Sequence, residues 1–338
     1  MVRVGVIGYG YWGPNLVRNF SEARGSSVVC VSDLKPERLA LAAARYPGIR
    51  TTTDHLDLVR DTAVDAVAIA TPLSTHFELA MCALEAGKHL LVAKPLAGTS
   101  DQAQRLVEAA ERRGRVLLVD HTFVYTGAVR KIRELIGQGG LGEVHYYDAV
   151  RVNLGLFQHD VNVIWDLAVH DLSILDYILP VPPRAVSAIG MSHVPGSPEN
   201  IAYLCLLFDG TFIAHVHVNW LAPVKVRRTL IGGSRKMVLY DDLEPSEKVK
   251  VYDSGVTVTS EPDDIHRMLF GYRVGDMWAP QFSRTEALAV EVEDFLDCIH
   301  RGSQPVSDGK MGVRLVKVLE AANASLQRRG EIVELATP

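Results

Sequence analysis

Residues 2–13, VRVGVIGYGYWG, decide the fold of this chain. A short apolar run leads into Gly8-Tyr9-Gly10-Tyr11-Trp12-Gly13, a GxGxxG pattern, and a helical pattern begins directly after it. Glycines at these positions allow a tight turn and a close approach of the backbone, and the first helical turn offers free N–H groups to a pyrophosphate. The stretch therefore predicts a strand, a phosphate-binding turn and a helix. The residues predicted to contact a dinucleotide here are Gly8, Gly10, Tyr11, Trp12 and Gly13.

An acidic residue follows at the position that distinguishes the two nicotinamide dinucleotides. Asp33 lies 20 residues after Gly13, just past the second predicted strand. An acid there can accept hydrogen bonds from both adenine-ribose hydroxyls and would repel a 2′-phosphate. The sequence therefore predicts NAD as the cofactor in preference to NADP, although Lys35 and Arg38 nearby leave some tolerance of the phosphate. The alternative is a purely structural turn in which Asp33 caps a helix.

The first 121 residues alternate between strand and helix patterns. The strands are almost wholly apolar, as is typical of parallel strands covered on both faces. They are Val2–Gly8, Val28–Ser32, Val64–Ala70, His89–Val92 and Val116–Val119. The helical segments between them are Trp12–Phe20, Pro36–Tyr46, Leu73–Ala86 and Ser100–Arg113. This pattern predicts an α/β domain with a doubly wound parallel sheet, a Rossmann domain, over residues 1–121.

Residues 122–338 follow a different rhythm. Helices are predicted at Val129–Gly137 and Asp166–Ile178, and two more, Thr285–Arg301 and Met311–Arg329, follow near the end of the sequence. Between them, residues 185–258 carry strand patterns joined by short turns, and strands joined in this way pair antiparallel. The sequence predicts a second, α+β domain with an open, mainly antiparallel sheet, and we expect this domain to mediate oligomerisation and, by the family resemblance given below, to bind substrate.

Composition excludes several classes of protein. The chain has 338 residues, 48% hydrophobic and 22% charged, with a net charge of −5. These values argue against disorder and against nucleic acid or anionic membrane as the main partner. No apolar run is long enough to cross a bilayer and no targeting peptide is recognised, so we expect a cytoplasmic protein. The four cysteines are far apart, and His215 and His217 lack a third ligand, so no metal site is predicted.

Two further motifs resemble those of a known family. Lys94-Pro95 ends the fifth predicted strand, and Asp166 and His170 form an Asp-x-x-x-His pattern downstream. With the GxGxxG turn, these motifs resemble the glucose–fructose oxidoreductase / inositol dehydrogenase (Gfo/Idh/MocA) family, and the resemblance covers the whole chain. The family pattern has glutamate before the lysine, and Ala93 replaces it here, so carboxylate contacts at the nicotinamide end are absent.

The resemblance implies that Lys94, Asp166 and His170 are catalytic and also bind substrate. A dehydrogenase needs a group that takes the hydroxyl proton with a pKa near the working pH. Lysine meets this need when it is desolvated beside a cationic nicotinamide, and histidine meets it without adjustment. Asp166 and His170 are spaced i, i+4 and are expected on one helix face. The alternatives are a solvated lysine at a strand end and an aspartate that caps a helix.

Other residues are weaker candidates for the same site. Ligands of doubly wound sheets bind at the carboxyl ends of strands, so Thr71 and Pro72 should line the cofactor channel, and His76 could reach a phosphate or ribose. Trp165, in the family motif, is a further cofactor candidate by the resemblance. The segment that leads to His170 is expected to form the substrate wall, and its candidates are Arg151, Asn153 and Asn162. Ordinary loop or helix residues are the alternative reading for these side chains.

The function that the resemblance implies is NAD-dependent oxidation of a sugar hydroxyl. Residues 151–171 and 220–253 are most similar to family members that oxidise the C-3 hydroxyl of a hexose and pass a 3-keto product to an aminotransferase. The sugar would be a nucleotide sugar or one attached to an aminoglycoside. The alternatives are a sugar ketoreductase, an inositol dehydrogenase, or a catalytically silent protein that responds to dinucleotide. An open sheet face further predicts a homodimer or homotetramer.

Overall fold

The computed structural model describes residues 1–155, 160–258 and 270–335. The chain forms two compact units, the first comprising Met1–Tyr125 and Thr285–Glu320 and the second comprising Thr126–Arg284 and Ala321–Pro338. The first unit therefore ends close to the predicted boundary at residue 121, but residues 285–320, which the sequence assigned to the second domain, return to it. Residues 156–159 of the predicted substrate wall lie outside the described residues.

The first unit is built on a parallel sheet of six strands, which confirms the predicted Rossmann fold. The strand order is β3-β2-β1-β4-β5-β6, and every neighbouring pair is parallel. The strands are β1 (Val2–Ile7), β2 (Ser26–Ser32), β3 (Arg50–Thr52), β4 (Ala66–Ile69), β5 (His89–Ala93) and β6 (Leu117–Asp120). The order reverses between β1 and β4, which is where such sheets bind dinucleotides.

Helices connect these strands close to the predicted positions. They are α1 (Gly13–Glu22), α2 (Pro36–Arg45), α3 (His55–Val59), α4 (His76–Glu85) and α5 (Ser100–Arg113). Helix α5 shows why local signals suffice: the Thr99 side chain accepts a hydrogen bond from the Gln102 N–H at 3.2 Å, and Gly114 ends the helix in the left-handed conformation. Strand β3 and helix α3, of three and five residues, were not predicted because they are too short to show a period.

The second unit contains a mixed sheet of nine strands in the order β16-β13-β12-β11-β7-β10-β9-β8-β17. Among the strands that the structure describes in this sheet, only β7 and β10 pair in parallel, so the predicted, mainly antiparallel sheet is confirmed. Its strands are β7 (Val144–Leu154), β8 (Ala185–Met191), β9 (Ile201–Leu207), β10 (Ile213–Asn219), β11 (Leu221–Gly233), β12 (Met237–Asp241), β13 (Val249–Tyr252), β16 (Met277–Trp278) and β17 (Val333–Glu334). A separate antiparallel pair is formed by β14 (Gly255–Val258) and β15 (Phe270–Arg273).

One predicted pairing is wrong. Strands β10 and β11 are separated only by Trp220, yet they do not pair, because β7 lies between them and pairs with both. A single residue is too short for a hairpin, and the Trp220 side chain is fully buried at the point where the chain crosses from one neighbour of β7 to the other. Strand β7 itself was read from the sequence as a segment leading to the His170 helix.

Two helices of the second unit follow the N-terminal domain. Helix α6 (Gly127–Gly137) packs against α7 (Val169–Ile178), and α7 also contacts strand β7. A π-helical turn, Ile164–Ala168, leads directly into α7. The helix predicted over residues 166–178 therefore begins two residues earlier, and its first turn is π-helical. Such turns occur frequently at functional sites.

Two helices near the end of the sequence are α8 (Ala287–Arg301) and α9 (Gly309–Gln327). Helix α8 belongs to the first unit because its apolar side chains are buried there, with Phe295 in edge-to-face contact with Phe20 of α1. The Tyr125 hydroxyl also donates to Asp294 at 2.8 Å. These partners are far apart in the sequence, so the assignment of α8 was not readable from local patterns. No helix among the described residues has the length and apolarity that crossing a membrane requires.

Candidate active site

The glycine-rich turn between β1 and α1 is shaped by close backbone contacts. Gly8 has a φ of +95°, and a Cβ atom there would approach the Ala70 carbonyl oxygen. A Cβ on Gly13 would overlap the carbonyl oxygen of Gly8. Only glycine satisfies both positions. Within the described chain no side chain caps the start of α1 and its first turn carries no acid, so its N–H groups and the helix dipole remain available to a pyrophosphate.

Asp33 joins this turn to the end of β2. Its carboxylate accepts a hydrogen bond from the Tyr9 N–H at 2.7 Å and from the Lys35 N–H at 2.9 Å, and the Arg38 guanidinium lies 3.4 Å away. The carboxylate thus sits beside the glycine-rich turn at the adenine side of the sheet, where it can still accept from a ribose hydroxyl. The turn and Asp33 together fit a dinucleotide. Tyr11, a predicted cofactor residue, is 85% exposed.

Trp12 spans the carboxyl edge of the sheet. Its indole Nε1 donates to Asp120 at the end of β6, and the Thr122 hydroxyl donates to the same carboxylate at 2.5 Å. Asp120 in turn neighbours Glu291 of α8, which is fully buried. Burial raises the pKa of Glu291 well above its usual 4.5, and the Asp120 charge raises it further. Burial also raises the pKa of Asp120, the carboxyl group that accepts the hydrogen bond from Trp12.

His76 does not face a phosphate or ribose, contrary to one of the two predicted readings. Its side chain is 1% exposed, Nδ1 lies 2.8 Å from the Pro95 carbonyl oxygen and Nε2 lies 2.9 Å from the Thr71 carbonyl oxygen. The imidazole therefore lies between the loop after β4 and the loop after β5, with one ring nitrogen within hydrogen-bond distance of each loop. Thr71 is half-buried and Pro72 is exposed, so both retain surface for a cofactor.

Lys94 follows the last residue of β5 and is half-buried. The Lys94–Pro95 peptide bond is cis, and the Pro95 carbonyl is the one that His76 contacts. The buried His76 side chain therefore contacts the backbone directly after the lysine. In the sheet register Ala93 pairs with Asp120, so Lys94 emerges at the same edge as the Asp120 carboxylate that holds Trp12. The first unit thus gathers Lys94, Trp12 and the glycine-rich turn at one edge.

In the second unit, the turn that carries Asp166 is capped by Asn162 and not by Asp166. The Asn162 side-chain oxygen accepts from the Ile164 N–H at 3.2 Å, and its amide donates to Asn323 at 2.8 Å. Asn162 is buried, and these bonds engage both ends of its side-chain amide. Asp166 does not cap the turn. Its carboxylate instead accepts a hydrogen bond from the Trp220 indole Nε1 at 3.0 Å. This contact holds one carboxylate oxygen in place one turn before His170.

Arg151, also predicted to contact substrate, is paired with a carboxylate inside the second unit. Its side chain is 2% exposed and makes two hydrogen bonds to Asp171, at 2.7 and 2.9 Å. The Tyr147 hydroxyl donates to the Asp171 carbonyl at 3.0 Å. A buried, two-point arginine–carboxylate pair is geometrically specific. It therefore fixes α7 on β7, and with it the orientation of the adjacent residue His170.

The remaining predicted residues of this unit differ in their accessibility. Trp165 is 8% exposed, which leaves little of its surface for a cofactor. Asn153 is half-buried near the end of β7, beside an irregularity in the pairing with β11, and stays a candidate. His170 is half-buried. Among the described residues there is no cluster of three or more metal-ligating side chains.

Several supporting residues were missed by sequence reasoning. Trp220, Asp171 and Asp120 each hold a candidate residue, yet Trp220 lies 54 positions from Asp166 and Asp120 lies 108 from Trp12. Of these three residues, Asp171 is the one that a sequence motif could have indicated, because it directly follows His170. Contacts between distant segments have no local pattern, so the sequence alone did not reveal them.

Comparison with known proteins identifies the family. The model of the GFO_IDH_MocA oxidoreductase family, NAD-binding Rossmann fold, matches residues 2–121. The model of the GFO/IDH/MocA C-terminal domain matches residues 129–239. The two matches together cover more than half of the chain, and each falls mainly within one of the two units.

Individual relatives agree with this result. The chain is 30% identical to UDP-N-acetylglucosamine 3-dehydrogenase of Acidithiobacillus ferrooxidans, over 97% of this chain and 99% of that protein. The solved structure of that enzyme superimposes with a TM-score of 0.79 at 26% identity, over 97% of this chain and 98% of the other. Inositol 2-dehydrogenase 2 of Saccharopolyspora erythraea is 34% identical over 53% of this chain and 54% of its own length. The chain belongs to the Gfo/Idh/MocA family and is an NAD-dependent oxidoreductase.

Proposed function

We propose that this enzyme oxidises the C-3 hydroxyl of a hexose carried on a nucleotide and yields the 3-keto sugar and NADH. The observation that carries the proposal is the 30% identity to a UDP-N-acetylglucosamine 3-dehydrogenase over nearly the whole of both chains. The likeness to inositol 2-dehydrogenase 2 is confined to about half of each protein. A likeness that includes the second domain bears more directly on substrate choice, because that domain is the one expected to bind substrate.

The proposed chemistry assigns a role to each catalytic candidate. The glycine-rich turn and Asp33 would hold NAD, which would supply the hydride acceptor for C-3. The C-3 hydroxyl proton passes to Lys94 or His170, either of which can act as a general base. Asp166, held by the Trp220 indole at 3.0 Å, orients the imidazole or accepts from a neighbouring sugar hydroxyl. The Arg151–Asp171 pair keeps α7 in place, so that the imidazole stays oriented during the reaction.

The substrate can be identified by a direct assay. NAD would be supplied with UDP-N-acetylglucosamine, UDP-glucose, dTDP-glucose, an aminoglycoside that carries an unmodified hexose, and myo-inositol, and NADH formation followed. We expect turnover with a nucleotide sugar, and substrate deuterated at C-3 should transfer its label to the nicotinamide. Oxidation of inositol alone, turnover of the aminoglycoside alone, or label transfer from another carbon would contradict the proposal. Reduction of a keto sugar with no measurable oxidation would indicate a ketoreductase, and no turnover at all would favour a silent binding protein.

Variants of the two proton acceptors test the mechanism. Lys94→Ala and His170→Ala should each lower kcat by at least about 100-fold, which is the usual contribution of a general acid–base group. The dissociation constant of NAD should change little, because the pyrophosphate is held by the glycine-rich turn. Lys131→Ala, which removes a surface lysine paired with Glu134, serves as the control. A variant that keeps near-wild-type turnover would exclude that residue as the base.

The proposal extends to partners and location. A 3-keto sugar is a substrate for transamination, so an aminotransferase that makes a 3-aminosugar is the expected next enzyme. We further propose that the exposed face of the nine-stranded sheet binds a second copy of the chain, giving a homodimer or homotetramer. The four cysteines are free, which suits the reducing cytoplasm as the place of action.

A further inference from the structure

A buried histidine lies beside Lys94 and plays no part in the mechanism above. His121 directly follows β6, and its side chain is 1% exposed. Among the described residues, neither ring nitrogen has a hydrogen-bond partner. A buried polar side chain without a hydrogen-bond partner is destabilising, and such groups are rare in native proteins. The two unpartnered nitrogens of the imidazole therefore indicate a ligand outside the protein chain as the hydrogen-bond partner.

The position of His121 indicates which ligand that partner belongs to. The glycine-rich turn follows β1, and Asp33 places the adenine ribose at β2. The strand order β3-β2-β1-β4-β5-β6 puts the other half of a bound dinucleotide over the ends of β4, β5 and β6. Ala93 and Asp120 are paired in the sheet, so Lys94 and His121 are the next residues at the carboxyl ends of adjacent strands. His121 thus lies on the nicotinamide side.

The charge state of His121 suits the same ligand. Burial lowers its pKa to about 3, and the nearby Lys94 ammonium acts in the same direction. The imidazole is therefore neutral at physiological pH and presents one donor and one acceptor. A neutral ring does not repel the cationic nicotinamide of NAD. The nicotinamide carboxamide also carries both a donor and an acceptor, so either tautomer of His121 can bond to it.

We propose that His121 binds the carboxamide of the nicotinamide ring and fixes the orientation of that ring next to Lys94. The inference rests on the NAD-binding domain of the family and is independent of the sugar. It accounts for the unpartnered nitrogen atoms, and it gives a carboxamide contact to a chain in which Ala93 replaces the glutamate of the family motif.

The test compares two ligands that differ only beyond the pyrophosphate. Dissociation constants of NAD and of ADP-ribose, which lacks nicotinamide, would be measured by calorimetry for the wild type, His121→Ala and His121→Gln. We expect His121→Ala to weaken NAD binding by about tenfold, equivalent to about 1.4 kcal/mol, and to change ADP-ribose binding less than about twofold. His121→Gln retains a neutral donor and acceptor and should restore part of the affinity.

The chain offers a matched control in His89, the first residue of β5. Burial lowers the pKa of His89 to about 4, but its nitrogens are engaged by the Val116 N–H at 3.0 Å and by Arg115 at 3.3 Å. It lies at the opposite end of the strand from Lys94, so His89→Ala should leave the affinities for both ligands unchanged.

Two results would overturn the proposal. If His121→Ala weakens NAD and ADP-ribose equally, the imidazole only supports the fold. If it changes neither, the imidazole has no contact with the cofactor. If His121→Ala does not fold, the NAD and ADP-ribose affinities of His121→Gln and His121→Leu would be compared instead. None of these measurements uses the hexose substrate. A failure of the substrate assay is therefore distinguishable from a failure of the proposal for His121.

Discussion

At the scale of single residues, Asp33 carries the preference between the two dinucleotides. Its carboxylate is nearly buried and is bonded to the Tyr9 N–H, so it cannot move away from a 2′-phosphate without breaking that bond. We expect NAD to bind at least about tenfold more tightly than NADP, even though Arg38 lies 3.4 Å from the carboxylate. Asp33→Asn keeps an oxygen for the Tyr9 N–H and removes the charge, and Asp33→Ser shortens the side chain as well.

Titration calorimetry with both cofactors measures this preference. Both variants should reduce the difference between the dissociation constants of NAD and NADP. They should do so mainly by improving the affinity for NADP. Glu37→Gln, an exposed acid at the start of α2, is the control for a general loss of negative charge. Tighter binding of NADP than of NAD by the wild type would refute the assignment.

At the scale of elements, two buried carboxyl groups, Glu291 of α8 and Asp120 of β6, make the stability of the fold depend on pH. Burial and the Asp120 charge raise the pKa of Glu291 well above 4.5, so the folded protein keeps a proton that the unfolded chain releases. In the pH range between those two pKa values, stability must fall as pH rises, by about 1.4 kcal/mol per pH unit at most. Glu291→Gln mimics the protonated acid and should remove this loss.

Thermal unfolding as a function of pH tests the role of Glu291. The Tm of Glu291→Gln should exceed that of the wild type, and the difference should grow as pH rises above the ordinary glutamate pKa of 4.5, by roughly 2–4 °C per pH unit. Glu293→Gln on the exposed side of the same helix should follow the wild type at every pH. A Tm difference that is independent of pH would show that Glu291 is ionised in the folded protein.

At the scale of the whole molecule, exposed apolar side chains lie next to one another on one face of the nine-stranded sheet. Ile189 and Tyr203 are neighbours across β8 and β9 and are 60% and 48% exposed. Tyr203 also stacks on His217 of β10, with ring centroids 4.4 Å apart. Extended apolar surfaces of this kind are typical of protein interfaces. A second copy of the chain would bury them and also shield the aromatic cluster.

Sedimentation velocity tests this interface. The wild type should sediment as a dimer or tetramer, and the double variant Ile189→Asp/Tyr203→Asp should sediment as a monomer, because burying two carboxylates in an apolar interface costs several kcal/mol. Leu34→Asp replaces an apolar residue of the first unit that is 85% exposed and should leave the assembly unchanged. A monomeric wild type at micromolar concentration would argue against the interface.

The sequence by itself determined the Rossmann domain, the antiparallel character of the second sheet and the catalytic candidates of the family motifs. These features are written in local patterns: an apolar strand, glycines that no other residue can replace, and fixed spacings such as Asp166 to His170. Such patterns depend on neighbours within a few residues. For that reason helix α5 and the Gly8–Gly13 turn were predicted almost residue by residue.

Only the tertiary structure decided which polar residues support the fold and which remain open to a ligand. In the sequence, Arg151, Asn162 and His76 resemble binding residues, and each is buried in contact with a polar group of the protein. His121 is the opposite case, because it is buried without such a partner among the described residues. Whether a polar side chain is satisfied depends on atoms brought together by folding from distant positions, and no spacing along the chain records that.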